Sequence, residues 1–112
     1  MLIFQSIFVA LDELLVQTKL ELRLVRGVSR LGGRAYKFVS PGNAGVPDRL
    51  VILPGGQILF AELKADTGRL SKMQRYQISQ LHRLGAVVQE VRGEAGVQSF
   101  LLLCQEYMRE ES

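Results

Sequence analysis

The segment Pro54-Gly55-Gly56-Gln57 limits the folds open to this chain more than any other stretch. An apolar run, Arg49-Leu50-Val51-Ile52-Leu53, precedes it, and a second, Ile58-Leu59-Phe60-Ala61, follows. Two short apolar runs around a Pro-Gly-Gly break predict a β-hairpin. The first run is entered through Gly45-Val46-Pro47-Asp48, and the second leaves through Glu62-Leu63-Lys64. Side chains alternate along a strand, so Glu62 and Lys64 share one face and Leu63 takes the other. The hairpin returns Asp48 to that same end. Two carboxylates and an amine then converge on one edge of a small sheet. Carboxylates without Cys or His neighbours suit a hard cation such as magnesium. A lysine beside them can steady negative charge on a reacting phosphate.

This convergence sets a condition on the turn. If residues 54–57 make a regular turn, Leu53 pairs with Ile58 and Asp48 faces Leu63. Directly opposed residues share a face, so Asp48 then points away from Glu62. A shift of one residue corrects this. The expectation is a β-bulge in one of the strands, a turn with an odd number of residues, or a bend at Pro47. The Asp48 and Glu62 carboxylates should then lie about 3–5 Å apart, close enough to share one cation.

The rest of the chain supplies layers around this hairpin. Ile3, Phe4, Ile7, Phe8, Leu11, Leu14 and Leu15 recur at helical spacing, and Leu2 and Val9 widen the apolar surface. A helix apolar over so much of its girth is buried on several sides, either in the core or against a second copy of the chain. A second helix, or a continuation, runs from about Thr18 to Leu31 and stops at Gly32-Gly33. Leu24, Val25 and Val28 share a face with Glu21, while Lys19, Arg23, Arg26 and Arg30 form a basic stripe. Residues 34–40 alternate as a strand, and 40–45 form a turn-rich loop. After the hairpin, Ser71 reads as an N-cap with Gln74 as its capping-box partner, opening a helix that Gly85 ends. A strand at 86–92 and a helix from about Glu94 to Arg109 follow. The order helix, three strands, helix, strand, helix predicts an α/β fold, a small mixed sheet flanked by helices.

Composition narrows the functional classes. At 112 residues and 47% apolar content the chain makes one small domain with a packed core. A net charge of +3 and a calculated pI near 9.4 suit a polyanionic partner. One cysteine, Cys104, excludes an internal disulfide and a cysteine-rich zinc site. It reads as a buried, apolar-like residue in a reducing, intracellular, cytoplasmic setting. His82, the single histidine, is far from the hairpin, and a His-based nuclease or triad needs more partners. Residues 1–16 lack a positive start and are broken by Gln5, Asp12 and Glu13. They read neither as a signal peptide nor as a membrane span.

Glu21, Gly45-Val46-Pro47-Asp48-Arg49, Glu62-Leu63-Lys64 and Gln74 together resemble the VRR-NUC domain, the virus-type replication-repair branch of the PD-(D/E)xK nucleases. Gly32-Gly33 before Tyr36-Lys37-Phe38, Ser40-Pro41, and Gly68-Arg69-Leu70-Ser71 match as well. The resemblance covers about Leu20 to Phe100. It sets residues 1–17 apart as an apolar helical extension of a nuclease domain at 18–112. It implies a restriction-endonuclease-like αβββαβ core and a magnesium-dependent phosphodiesterase, with manganese able to substitute. By position, Asp48 and Glu62 become metal ligands, and the Leu63 carbonyl a further one. Lys64 orients or activates the attacking water, Glu21 holds metal through water or binds a second ion, and Gln74 sits near the water or the phosphate. Small standalone relatives are associated with bacteria and phages and act as dimers on branched DNA such as four-way junctions. The resemblance therefore implies a homodimeric DNA-repair endonuclease in a bacterial or phage-infected cell.

Arg69, Lys72 and Arg75 flank Gln74 and are candidate phosphate contacts, joined by Lys37 and by Asn43 in the glycine-containing loop. The alternative is a catalytically silent nuclease fold that holds DNA or a protein. An RNA-processing nuclease is a third reading, since nothing in the sequence reports on contacts to a 2′-OH.

Overall fold

A computed structural model describes residues 2–111. Its elements are α1 (Leu2–Arg30), β1 (Arg34–Lys37), β2 (Arg49–Ile52), β3 (Ile58–Lys64), α2 (Lys72–Arg83), β4 (Val87–Arg92) and α3 (Gly93–Glu111). The expected order holds, and the two N-terminal helical segments are one continuous helix of 29 residues. No break in secondary structure falls at residue 17. No helix among the described residues is long and apolar enough to cross a membrane.

The four strands form one sheet in the order β1-β2-β3-β4. The first two pairings are antiparallel and β3–β4 is parallel. The helices α1 and α3 cover one face. Leu20, Leu24 and Val28 of α1 meet Val51, Leu59, Ala61 and Leu63 of the sheet, with Val97, Phe100 and Cys104 of α3 completing the core. Gly27 lets the two helices approach closely, because a Cβ there would lie 2.4 Å from Leu101 Cδ1. On the other face α2 covers part of the sheet, where His82 hydrogen-bonds the Val88 carbonyl at 3.0 Å.

The first half of α1 extends past this body, and the molecule spans 58 × 30 × 21 Å. Ile3, Ile7, Phe8, Leu11, Leu14 and Leu15 are all exposed. Burial of this segment within one chain, one of the two arrangements its hydropathy allows, does not occur. The side chains of Leu2 and Phe4 lie outside the described residues.

The hairpin register meets the condition its ends impose. Ile52 pairs with Ile58 and Arg49 with Ala61. The loop between them therefore holds Leu53, Pro54, Gly55, Gly56 and Gln57, an odd number. Gly55 and Gly56 both take positive φ, 97° and 89°, which a glycine pair reaches without strain. Leu53 N–H donates to the Gln57 carbonyl and Gly56 N–H to the Leu53 carbonyl, closing the loop. Continued outward, this register sets Asp48 opposite Glu62, so their side chains share a face.

Candidate functional site

Arg49 opens β2 opposite Ala61, so Leu63 on the longer β3 lies beyond the end of that ladder. Its backbone groups need other partners. Leu63 N–H donates to Asp48 Oδ2 at 2.9 Å. The Leu63 carbonyl accepts from Gln17 Nε2 of α1 at 3.3 Å. Asp48 is thus tied by its own side chain to the strand that carries Glu62 and Lys64.

Glu62 is the one charged residue type buried among the described residues, at 1% exposure. Its Oε2 lies 3.8 Å from Lys64 Nζ and 3.5 Å from Gln74 Nε2. Its Oε1 is buried and has no hydrogen-bond partner. Burial, above all, pushes the carboxyl up to about 8. The Asp48 carboxylate, which can accept a hydrogen bond only from the protonated form and which repels the ionised one, adds to the rise; Lys64 opposes it, and Glu90 contributes a little more. In the lone chain the site therefore favours the protonated form of Glu62.

Gln74 reaches Glu62 because α2 starts where the capping box dictates. Ser71 Oγ accepts from Gln74 N–H at 3.1 Å, and Gln74 Oε1 accepts from Ser71 N–H at 2.8 Å. The Gln74 side chain thus serves the cap through its oxygen and faces Glu62 through its nitrogen. The first turn of α2 is also held by Gly45, whose φ is +87°. A Cβ at Gly45 would stand 2.5 Å from the Met73 carbonyl carbon, so only glycine lets this loop lie against α2. Pro47 beside it is fully buried.

The loop after Lys64 has its own clamp. Arg92 donates to the carbonyls of Ala65 and Asp66 at 3.2 and 3.3 Å, donates also to the Gly68 carbonyl, and pairs with Glu90. Gly93, with φ +62°, then turns β4 directly into α3. Residues 65–68 are thereby fixed between the end of β3 and the start of α2.

The structure thus brings Asp48, Glu62, Lys64, the Leu63 carbonyl and Gln74 to one end of the sheet. Glu21 reaches this end of the sheet at Arg49, the residue after Asp48. It faces Arg49 Nη2 at 3.8 Å, and Arg49 also donates to the Ala35 carbonyl at 3.5 Å. No group of three or more Asp, Glu, His or Cys side chains fit to hold a metal occurs among the described residues. The donor set nevertheless suits a hard cation. It comprises two adjacent carboxylates, an oxygen buried without a partner, and a backbone carbonyl at the end of a ladder.

Lys37, Asn43, Arg69, Lys72 and Arg75 are all exposed. Asn43 bonds Ser40 Oγ at 2.9 Å, and Arg75 bonds the Leu70 carbonyl at 3.3 Å. Cys104 is fully buried and its thiol is pushed up to about 11 by burial, which makes it inert. Gln17 and Arg92 escaped the sequence reading. Gln17 stands one helical turn before Glu21 on the same face, and that spacing was the available signal. Arg92 carried none, because its partners are backbone carbonyls distant in sequence.

The chain is similar to known proteins over much of its length. The chain is 47% identical over 72 residues to "Putative nuclease p44" of Acyrthosiphon pisum secondary endosymbiont phage 1, a match covering 64% of this chain and 77% of that protein. It is also similar to a solved structure described as a VRR_NUC domain. That match has a TM-score of 0.72 and 28% identity, and covers 76% of this chain and 92% of the other. No family model matches the sequence.

Proposed function

The chain belongs to the VRR-NUC family of nucleases, and from that premise we propose that it is a divalent-metal-dependent DNA endonuclease acting on branched DNA. The observation that supports this reading most is the placement of Asp48 opposite Glu62, with Glu62 Oε1 buried and unpartnered beside Lys64. Asp48, Glu62 and the Leu63 carbonyl would hold magnesium, or manganese in its place. When bound, such an ion polarises a phosphodiester and makes a water molecule a better nucleophile at neutral pH.

The chain's own residues do the rest. Asp48 holds the Leu63 N–H, which keeps the two carboxylates in register. Lys64 places positive charge where the phosphate gains negative charge and orients the attacking water. Gln74 holds Glu62 from the side of α2 and offers its amide to the water or phosphate. Glu21 keeps Arg49 in place and, through water, can reach a cation. Lys37, Asn43, Arg69, Lys72 and Arg75, all exposed, would meet the DNA backbone. The reading is of a nuclease domain at 18–112 carrying an apolar helical extension at 1–17. Part of the exposed apolar face of that extension, the C-terminal helix, or both make a symmetric homodimer with a second copy, and two sites related by a twofold axis match a symmetric junction.

The test is cleavage of four-way-junction, flap, duplex and single-stranded DNA with magnesium, manganese or EDTA. Metal-dependent cutting of the junction in preference to the linear duplex is expected. Cutting in EDTA, or none with either metal, defeats the assignment. Light scattering at micromolar concentration should return twice the mass of one chain.

A further inference from the structure

The helix α1 carries chemistry on two sides. Gln17 and Glu21 face the carboxylate end of the sheet. Arg23, Arg26 and Arg30 fall three and four residues apart on another face. At 3.6 residues per turn that face lies roughly 140–180° around the helix from Glu21. The close approach of α1 and α3 at Gly27 makes a groove there of about 500 Å³, lined by the three arginines, Glu94 and Gln98. Three arginines less one glutamate leave +2, against +3 for the whole chain. The groove is therefore a locally basic surface, distinct from the candidate site.

The arginines are available. Arg26 and Arg30 are exposed and have no carboxylate partner among the described residues. Arg23 faces Glu94 at 3.5 Å, but both side chains are more than half exposed, and such a pair adds little. Nothing in the fold requires these charges: the packing of α1 on α3 rests on Gly27 and Leu101. Guanidinium groups spaced along a helix suit phosphates spaced along a nucleic-acid strand.

We infer that this groove binds the phosphodiester backbone of a second segment of the nucleic-acid substrate, while the carboxylate end of the sheet holds the first. A straight duplex lies against one face of a convex surface. Phosphate sites at the carboxylate end of the sheet and in this groove, on the far side of α1, are filled together only by DNA that bends or branches around the protein. The inference rests on the nuclease reading and gives its preference for branched DNA a physical origin.

The experiment is fluorescence anisotropy in EDTA, with a four-way junction and a linear duplex of equal arm length, over a series of salt concentrations. Wild type is compared with the double variant Arg26→Gln/Arg30→Gln and with Glu94→Gln, each checked for an unchanged Tm. Loss of two phosphate contacts should flatten the slope of log affinity against log salt by about 2 for the junction and leave the duplex slope unchanged. Glu94→Gln should shift junction affinity the opposite way, upward. Equal slopes for wild type on both DNAs, equal losses on both in the double variant, or no change on either overturns the inference. Because binding is read in EDTA, these results stand apart from cleavage. Absence of cutting by wild type with metal would sink the nuclease reading instead.

Discussion

Two regions invert the usual division between interior and surface. At the end of β3 a carboxylic acid, Glu62, is buried at 1% exposure with one oxygen unpartnered. Along the first half of α1, Phe8 and Leu14 stand 63% and 62% exposed. The second half of the same helix, apolar on one face only, follows the usual rule, with Leu24 and Val28 fully buried. Both inversions cost free energy in the lone chain, one by desolvating an ionisable carboxyl and the other by hydrating apolar surface. A partner of opposite character relieves each: a cation for the first, an apolar protein surface for the second. The difference lies in precision. The carboxylate end is held by specific hydrogen bonds, from Leu63 N–H to Asp48, from Gln74 to Glu62 and within the capping box, whereas the helix offers only a broad face.

Breaking the precise region should have the largest effect. Asp48→Asn or Lys64→Ala should lower cleavage roughly 10³-fold or more, since each removes charge acting on the reacting phosphate. The Tm should stay near wild type, because neither residue supports the core. Full activity in either variant would remove the site as drawn.

The two halves of α1 should respond oppositely to truncation. Leu24→Ala should destabilise by about 2–5 kcal/mol in urea unfolding, the cost of a cavity in the core. Leu14→Ser should leave single-chain stability within about 0.5 kcal/mol but lower the mass seen by light scattering. A large unfolding penalty for Leu14→Ser measured under monomeric conditions would show the first half of α1 to be packed in one chain.

Glu62 gives a sharper pH test. Its carboxyl is raised from 4.5 to about 8 in the folded chain. The folded state then binds more protons at this group than the unfolded one between those values, so its contribution to stability in EDTA is full below 4.5 and is lost as pH rises through 8. The fall should approach about 1.4 kcal/mol per pH unit and vanish in Glu62→Gln. A divalent cation should flatten it in wild type alone, because the cation favours the ionised carboxylate. Identical pH profiles for wild type and Glu62→Gln would contradict the burial argument. The smallest effect is expected at the cap: Ser71→Ala should cost about 1 kcal/mol by thermal unfolding, with a modest loss of cleavage through Gln74.

Much of the fold was legible in local chemistry. Gly32-Gly33 ends α1, Ser71 and Gln74 make the capping box that starts α2, and Pro-Gly-Gly makes the hairpin. These signals lie within a few residues of what they specify. The site motifs Pro47-Asp48 and Glu62-Leu63-Lys64 were legible as a pair for the same reason: the hairpin joining them is short.

What the sequence by itself determined is therefore the element order, the caps and the residues able to carry the chemistry. Tertiary structure decided the rest. Strand side chains alternate with a period of two, so one residue in the turn moves Asp48 from one face to the other. Only the pairing of Ile52 with Ile58 settled that it faces Glu62. The same dependence on distant partners put Gln17 on the Leu63 carbonyl, Glu21 on Arg49 and Arg92 on the loop after Lys64. It also parted the two halves of α1. Hydropathy states what a helix face prefers to contact, and the reach of a small sheet and α3 decides how much of that face they cover.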